Sequence, residues 1–390
     1  MDKKLKVLWV SDLGAPTGFA RVSEGIIANL KDRLDITGFG INYHGNPHKV
    51  GIDIYPASAG PQDLMGFSKI ADVVKRGDFD LIYFLQDAWV ISQYLSILKS
   101  EIAADKLPKI VVYFPVDAEE HNADWYTTFD IVTKAVAYTE FGKRVVKEVA
   151  PDLDMAIIPH GVDSDVFFKA FRNRKEAKEI LFKSKGSYAD FIVLNMNRNQ
   201  PRKRLDVTLR GFKIFAKGKD DVALYMHCGV VDSSINVTKL AVRLDIDDKL
   251  VMTNLEPGPQ NVDNESLNLI MNASDVGINT SLGEGWGLCS VEHAVTGAPQ
   301  IVPDSSACTE LFKDVGILVP TVADFTFDGV MTKGKLVSPE GVAEALEIAY
   351  IAHKEGKDLG TAGRTKFLLG KYDWKVISEQ WYSVFIEAMK

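Results

Sequence analysis

Short apolar runs alternate with amphipathic stretches along the first half of the chain. The run KVLWV at 6–10 predicts a buried strand, and residues 18–30 carry apolar side chains at helical spacing. The same pattern predicts further strands at 34–41, 79–85, 109–114, 135–138 and 155–158, and helices at 62–75, 90–104 and 140–149. Strands that alternate with helices in this way indicate βαβ units and a parallel sheet.

A second series with the same alternation begins near residue 188. It predicts strands at 191–196, 223–227, 250–253 and 276–279, and helices at 205–216, 237–244 and 266–273. The segment 163–187 between the series is charged, so we place a domain boundary at its end. We therefore expect an α/β fold with two Rossmann-like domains, 1–187 and 188–371. An aromatic-rich helix in 372–390 is expected to cross back onto the first domain.

Composition narrows the classes of protein that this pattern allows. A length of 390 residues fits two domains, and 46% hydrophobic residues can fill two cores. The net charge of −8 counts against a general nucleic-acid binder, which neutralises phosphates with Lys and Arg. Three scattered cysteines fit a reducing cytoplasm. Because no apolar run approaches the ~20 residues of a membrane span, we expect a soluble, cytoplasmic protein without membrane insertion.

Metal and nucleotide motifs of the common kinds are missing from the sequence. Apart from His44 and His48, which flank Gly-Asn-Pro, the seven histidines are dispersed, and no H-E-x-x-H motif occurs, so we expect no metal and no cofactor. Neither G-x-x-x-x-G-K-[ST] nor G-x-S-x-G occurs, which disfavours a P-loop NTPase and an α/β-hydrolase. In an open parallel sheet, ligands bind beyond the carboxyl ends of the strands, so the loops there are the places to search.

The first such loop carries Gly14 and Gly18 between the opening strand and its helix. Backbone amides at a turn of this kind can approach a phosphate or a sugar closely. The spacing is G-x-x-x-G and not the G-x-G-x-x-G of dinucleotide-binding proteins, so we do not predict NAD binding. An ordinary strand-to-helix turn explains these glycines equally well.

The second loop is a basic turn that follows the first strand of the second series. It contains Arg198, Arg202, Lys203 and Arg204 just before a predicted helix. Arg and Lys bind a diphosphate well, whereas cations at a helix N-terminus oppose the helix dipole. Such a local conflict is typical of a functional site, and the alternative is a solvated basic turn.

The third loop is rich in glycine and runs from Thr280 into a predicted helix that begins near Gly287. Free N–H groups at that helix start favour an anion. Glu284 lies in the loop and Glu292 on the helix, and two carboxylates would repel a phosphate. Sugar hydroxyls are the natural partners of such acceptors. Solvated surface carboxylates are the alternative for each glutamate alone.

Two further strands of the first series end in polar residues. Asp117 follows the strand at 109–114, and His160 follows the strand at 155–158 within the sequence PHGVD. Asp117 at a strand terminus can contact a reacting group, or it can cap a following helix. Both interpretations stay open at this point.

These motifs together resemble a known family. The pair Glu284-x7-Glu292 within GEGWGLCSVEHAVTGAPQIV looks like the signature of retaining nucleotide-sugar glycosyltransferases with the GT-B fold. Arg198 and Lys203 resemble that family's diphosphate-binding pair. The glycine turn, the PHGVD segment and the aromatic C-terminal stretch match in the same order, so the resemblance covers nearly the whole chain. It implies two Rossmann-like domains that face a central cleft.

The resemblance also implies roles for individual residues. Glu292 would hold the ribose hydroxyls and Glu284 hydroxyls of the transferred sugar. The nucleobase would pack near Thr253 and Asn254. The diphosphate and the remaining donor contacts would fall to Arg198, Lys203, Gly287, Leu288, Cys289, Gly18 and His160. The family often places a histidine where this chain has Asp117, and we predict that Asp117 contacts the sugar or the acceptor.

The function that the resemblance implies is transfer of a hexose from a UDP- or GDP-linked sugar, most simply UDP-glucose, with retention and without a metal. The acceptor would be a hydroxyl of a saccharide, of a small molecule or of a hydroxymethylated DNA base, although the net charge counts against DNA. Two alternatives remain. One is a nucleotide-sugar epimerase or hydrolase on the same fold, and the other is a non-catalytic protein that binds sugar nucleotides.

Overall fold

The computed structural model of the chain describes residues 4–183, 186, 188–260 and 262–390. The chain divides into two compact units. The first unit runs to Gly161 and takes in 330–332 and 372–390, and the second comprises the rest. Among the described helices, none has the length and apolar character needed to cross a membrane.

The first unit is built on a seven-stranded parallel sheet. Its strands are β1 (Lys6–Asp12), β2 (Asp35–Ile41), β3 (Asp53–Pro56), β4 (Leu81–Leu85), β5 (Lys109–Phe114), β6 (Lys134–Ala137) and β7 (Met155–Ile157), and its first helices are α1 (Gly18–Leu30), α2 (Ile70–Gly77), α3 (Ala88–Glu101) and α4 (Glu140–Val149). The strand order is β3-β2-β1-β4-β5-β6-β7. Central strands such as β4 are buried throughout, as continuous apolar runs covered on both faces should be.

The predicted strands and helices of this unit are confirmed, with two local differences. Strand β3 was not predicted, because it is a short, largely exposed edge strand without a core-facing apolar run. Helix α2 begins at Ile70 and not near residue 62. The carboxylate of Asp63 instead accepts the backbone N–H groups of Phe67 and Ser68, both at 2.9 Å, which stabilises a turn ahead of the helix.

The second unit contains a six-stranded parallel sheet and an antiparallel hairpin. Its strands are β8 (Phe191–Asn195), β9 (Val222–Met226), β10 (Leu250–Met252), β11 (Val276–Ile278), β12 (Gln300–Pro303), β13 (Ile317–Val319), β14 (Thr321–Thr326) and β15 (Lys333–Val337), and its helices are α5 (Arg174–Leu181), α6 (Leu205–Phe215), α7 (Val237–Arg243), α8 (Asn264–Ala273), α9 (Leu288–Val295), α10 (Ser306–Phe312), α11 (Pro339–Lys354) and α12 (Thr361–Leu368). The parallel sheet has the order β10-β9-β8-β11-β12-β13, and β14 pairs with β15.

The two parallel sheets share one topology. Counted within each unit, the first six strands lie in the order 3-2-1-4-5-6, which is that of a Rossmann fold. In each sheet the order reverses beside the first strand, between β1 and β4 and between β8 and β11. Ligands of such folds bind at the carboxyl ends of the strands on either side of this reversal.

The transition between units differs from the predicted boundary. The predicted end of the first domain, Ser187, lies outside the described residues. The described chain passes into the second unit after Gly161. Arg174 of α5 donates hydrogen bonds to two carbonyls at the end of α8, and buried Lys178 pairs with Asp275 at 2.7 Å. Two charged residues of the segment that suggested a boundary, Arg174 and Lys178, are therefore bonded inside the second unit.

The C-terminal helix α13 (Trp374–Ala388) belongs to the first unit. Fully buried Trp381 lies with its ring centroid 5.1 Å from that of Tyr83 and 4.7 Å from that of Tyr113, so the helix packs on the central strands. The indole of Trp374 lies where two glycines, Gly25 and Gly161, leave room for it.

Replacing Gly25 with alanine is expected to destabilise the protein by about 1–2 kcal/mol. A Cβ at this position would lie 2.6 Å from the rigid indole of Trp374. Overpacking of this kind costs about 1–3 kcal/mol, which outweighs the gain of up to about 1 kcal/mol from alanine in a helix. Gly363 in α12 is the matched control, because its nearest neighbour would lie at 3.6 Å. Urea unfolding should show a loss for Gly25→Ala but none for Gly363→Ala.

Candidate functional site

The basic turn and the glycine-rich loop lie on the two sides of the strand-order reversal in the second unit. The basic turn follows β8, and the glycine-rich loop follows β11. Strands β8 and β11 pair in parallel, so both loops leave the same end of the sheet. Two segments more than 70 residues apart in sequence therefore form one site, as their hydrogen bonds show.

The carboxylate of Glu284 is the centre of this site. Its Oε1 accepts hydrogen bonds from Lys203 Nζ at 2.5 Å, Asn279 Nδ2 at 2.9 Å and Ser281 Oγ at 2.7 Å. Its Oε2 lies 3.4 Å from a terminal nitrogen of Arg202. Only 5% of Glu284 is exposed. The sequence did not single out Asn279 and Ser281 as partners of Glu284, although Asn279 directly follows β11 and Ser281 lies two residues further on.

Two opposing effects set the charge of Glu284. Burial alone would raise the pKa of this carboxyl, but the positive charges of Lys203 and Arg202, together with the hydrogen bonds, lower the pKa to about 2. Glu284 is therefore ionised at neutral pH. In that state its oxygens only accept hydrogen bonds, which suits hydroxyl donors of a ligand.

Backbone contacts hold the two loops in register. The Leu282 amide donates to the carbonyl of Arg202 at 2.9 Å, and the Arg202 guanidinium donates to the carbonyl of Gly283 at 2.7 Å. The amide of Glu284 donates to Ser306 Oγ at 3.0 Å. The Glu284 backbone is therefore held between Arg202 of the basic turn and Ser306.

Of the four cations of the basic turn, Arg204 pairs with a residue of the helix that follows it, α6. It takes a left-handed conformation with φ +47° and forms two hydrogen bonds with Asp206 in the first turn of α6, at 2.9 and 2.8 Å. Arg202 and Lys203 contact Glu284. The structure therefore leaves Arg204 outside the group that surrounds Glu284.

Arg198 has a carboxylate partner that the sequence did not single out. Its Nε and one terminal nitrogen donate to the two carboxylate oxygens of Asp232, at 2.6 and 3.3 Å. Asp232 lies in the loop after β9, which is the neighbour of β8 in the sheet. The sequence signal that could have pointed to Asp232 is its position, because it is an acidic residue in the loop at the carboxyl end of the strand next to β8.

Helix α9 begins at the end of the glycine-rich loop. Gly287 precedes it with φ +86°, a left-handed conformation that suits glycine. Within the described structure, no side chain caps this helix start, and its first turn carries no acidic residue. Cys289 Sγ lies 3.5 Å from the carbonyl oxygen of Met196, so the start of α9 adjoins the end of β8. Leu288 and Cys289 are partly exposed, as an anion site at their amides would require.

Glu292 lies one turn into α9 and is 5% exposed.

Thr253 and Asn254 follow β10, two strands away from β8 at the same end of the sheet. Thr253 Oγ1 lies 2.7 Å from His227 Nδ1, and burial lowers the pKa of His227 to about 4, so this imidazole is neutral. The Asn254 side chain accepts the amide of Glu256 at 2.9 Å. The structure thus places all the predicted second-unit residues at one end of one sheet.

The predicted residues of the first unit lie at the carboxyl end of its own sheet. Gly18 is the first residue of α1, and Thr17 caps that helix by accepting the Ala20 amide at 3.2 Å. The Thr17 hydroxyl in turn donates to buried Asp12 at the end of β1, at 2.6 Å. The turn at Gly14–Gly18 is thereby fixed to its strand.

Asp117 lies three residues beyond β5 and is partly exposed. The interpretation of Asp117 as a helix cap is wrong, because Asn122 caps the helical turn that follows. His160 is buried, with Nδ1 2.7 Å from the Tyr113 hydroxyl. Burial lowers the pKa of His160 to about 3, which keeps this imidazole neutral.

Among the described residues, no three His, Cys, Asp or Glu side chains form a group that could hold a metal ion.

The sequence matches no protein-family model, and no curated protein is similar to it at a significant level. Solved structures are similar along nearly the whole chain. A sucrose-phosphate synthase from Thermosynechococcus elongatus has a TM-score of 0.75 at 15% identity, with 98% of this chain and 99% of that chain covered. A glycosyltransferase from Rickettsia africae has a TM-score of 0.73 at 16% identity, with 99% of each chain covered.

The protein HepE from Anabaena, in complex with UDP-glucose, has a TM-score of 0.69 at 14% identity, with 98% of this chain and 100% of that chain covered. These similarities and the two Rossmann-like units define the class of fold. The chain has the GT-B fold, as the Glu-x7-Glu resemblance implied.

Proposed function

We propose that this protein is a retaining glycosyltransferase that moves a hexose from a nucleoside-diphosphate sugar to a hydroxyl acceptor. One observation carries the proposal. The switch point of the second sheet combines a buried, ionised carboxylate with neighbouring cations, and the uncapped start of α9 leaves the same end of that sheet. A sugar needs hydroxyl acceptors, whereas its diphosphate needs positive charge, and this site offers both.

The cations would act on the leaving group. Departure of a nucleoside diphosphate places negative charge on the β-phosphate, so Arg198, Lys203 and the Leu288–Cys289 amides would stabilise the transition state more than the ground state. Glu284, which is ionised at neutral pH, would accept hydrogen bonds from hydroxyls of the transferred sugar.

The nucleoside would lie along the same end of the sheet. Glu292, with Gly287 ahead of it, would face the ribose hydroxyls, and the base would pack near Thr253 and Asn254. One of the similar structures supports uridine as the nucleoside, because HepE is in complex with UDP-glucose. We therefore propose a UDP-glucose-type donor, with a GDP-linked hexose as the next candidate.

Retention follows if the acceptor attacks from the side on which the diphosphate leaves. The bond between the anomeric carbon and the β-phosphate oxygen breaks, the acceptor oxygen bonds to the anomeric carbon on the same face, and the acceptor proton moves to the departing phosphate. The chain then supplies no base, and its own cations replace a metal. We propose that Asp117 and His160, with the turn at Gly18, line the sugar and acceptor side in the first unit.

The first test is ligand binding. A thermal-shift screen with UDP, GDP, ADP and their glucose conjugates should raise the melting temperature for one base, because a ligand at 100 times its Kd stabilises the native state by about 2.7 kcal/mol. We expect the largest shift with UDP or UDP-glucose. If no nucleoside diphosphate stabilises the protein, the donor assignment is wrong.

The second test is turnover with that donor and a panel of saccharides, small-molecule alcohols and hydroxymethylated DNA, with and without EDTA. We expect release of nucleoside diphosphate that depends on one acceptor class, persists in EDTA and gives a product with the anomeric configuration of the donor by NMR. Epimerised sugar formed without an acceptor would point to an epimerase. Tight binding without turnover across the panel would indicate a non-catalytic binding protein.

A further inference from the structure

The loop that follows β9 is fixed between its two neighbours in the second unit. The side-chain amide of fully buried Asn199, in the basic turn, donates to the carbonyls of Gly229 and Ile235, at 3.0 and 2.7 Å. On the other side, the Gly258 amide donates to the carbonyl of Val231 at 2.7 Å. This loop therefore has a defined position relative to the basic turn.

The loop presents one carboxylate, Asp232, to Arg198. The two carboxylate oxygens face Nε and one terminal nitrogen of the guanidinium, so one whole edge of the planar group is used. The Asp232 side chain is 11% exposed, whereas that of Arg198 is 46% exposed. The other terminal nitrogen, NH1, forms no hydrogen bond within the described part of the chain, so this edge can meet a ligand.

Two effects of Asp232 on a bound diphosphate oppose each other. Its negative charge repels the phosphates, while its paired hydrogen bonds hold the guanidinium in one orientation. Arg198 is half-exposed, and water screens the repulsion strongly at such a position. Paired hydrogen bonds between an Arg fork and a carboxylate add geometric specificity that a point charge lacks. Orientation should therefore outweigh repulsion.

We propose that Asp232 is a positioning residue of the donor site, and that it holds Arg198 so that NH1 faces the diphosphate. The inference rests on the proposed function, because it takes the diphosphate as the ligand of Arg198. Asp232 acts through Arg198 and needs no contact with the donor itself.

The test is a double-mutant cycle on UDP affinity by calorimetry, with wild type, Asp232→Ala, Arg198→Ala and the double variant. We expect Asp232→Ala to weaken UDP binding about tenfold, in line with the loss of one hydrogen bond to a charged group. In the Arg198→Ala background, Asp232→Ala should change the Kd less than twofold. A merely structural role of Asp232 would weaken binding in both backgrounds, so the cycle separates the two roles.

Two further variants make the result decisive. Asp232→Asn keeps one oxygen acceptor without the charge, so we expect an intermediate loss. Exposed Asp248, elsewhere in the unit, is the matched control, and Asp248→Ala should leave the Kd unchanged. Unchanged or tighter UDP binding by Asp232→Ala and Asp232→Asn would overturn the inference. If wild type itself binds neither UDP nor GDP, the proposed function fails first, and the inference falls with it.

Discussion

Replacing Lys203 with alanine is expected to lower turnover of the donor sugar about 10²–10³-fold. That is the typical cost of losing one preorganised partner of a charge that develops in the transition state. Lys203 sits at the switch point of the second sheet, 2.5 Å from Glu284, with only 11% of its side chain exposed. Such a partly desolvated ammonium stabilises a departing phosphate more than a surface lysine would.

The measurement is kcat with the identified donor and acceptor, together with a melting curve for each variant. The same substitution also deprives buried Glu284 of its nearest cation, so the melting temperature should fall as well. Lys203→Arg keeps the positive charge and should recover part of the activity. Lys213, exposed on helix α6, which follows the basic turn, is the matched control. A near-wild-type rate for Lys203→Ala would refute the assignment of Lys203 to the leaving group.

The second large effect concerns stability in acid. The pKa of Glu284 falls from its ordinary value of 4.5 to about 2 in the folded protein. A depressed carboxyl pKa stabilises the native state above the unfolded value and loses this contribution as pH falls through the folded value. The difference between the two pKa values corresponds to about 3 kcal/mol of the free energy of unfolding. About 2 kcal/mol of this contribution should be lost between pH 6 and pH 3.

Glu284→Gln isolates this contribution, because every other carboxyl titrates in both proteins. We expect the free energy of unfolding in urea to fall about 2 kcal/mol more for wild type than for Glu284→Gln over that pH interval. At neutral pH the variant should be the less stable protein, since Lys203 and Arg202 lose their anionic partner. Curves of the two proteins that run parallel from pH 6 to pH 3 would show that the cations do not hold this pKa down.

Much of the fold follows from local patterns. Buried strands such as β4 and β5 are continuous apolar runs, and amphipathic helices such as α1 repeat at 3.6 residues, so their places can be found without tertiary information. Strand β3 and the start of α2 could not be found in this way. An edge strand pairs on one side only and needs no apolar face, and the turn before α2 depends on hydrogen bonds of the Asp63 side chain.

The features of the site likewise fall into those that the sequence shows and those that only the structure shows. The glycine-rich loop, the basic turn and the start of a helix near Gly287 are visible in the sequence, because glycine, charge and spacing are local features. The partners of the charges are not local. Lys203 meets Glu284 because β11 lies on one side of β8, and Arg198 meets Asp232 because β9 lies on the other.

The sequence by itself determined the alternation of strands and helices in both halves of the chain and which loops carry charge, since both depend on neighbouring residues along the chain. The tertiary structure decided which charges pair, and it showed that 162–183 belongs to the second unit. It also made Glu284 a buried carboxylate with a low pKa and not a solvated loop residue. The physical reason is that burial and Coulomb interactions depend on distances through space, and the strand order of the sheet sets those distances.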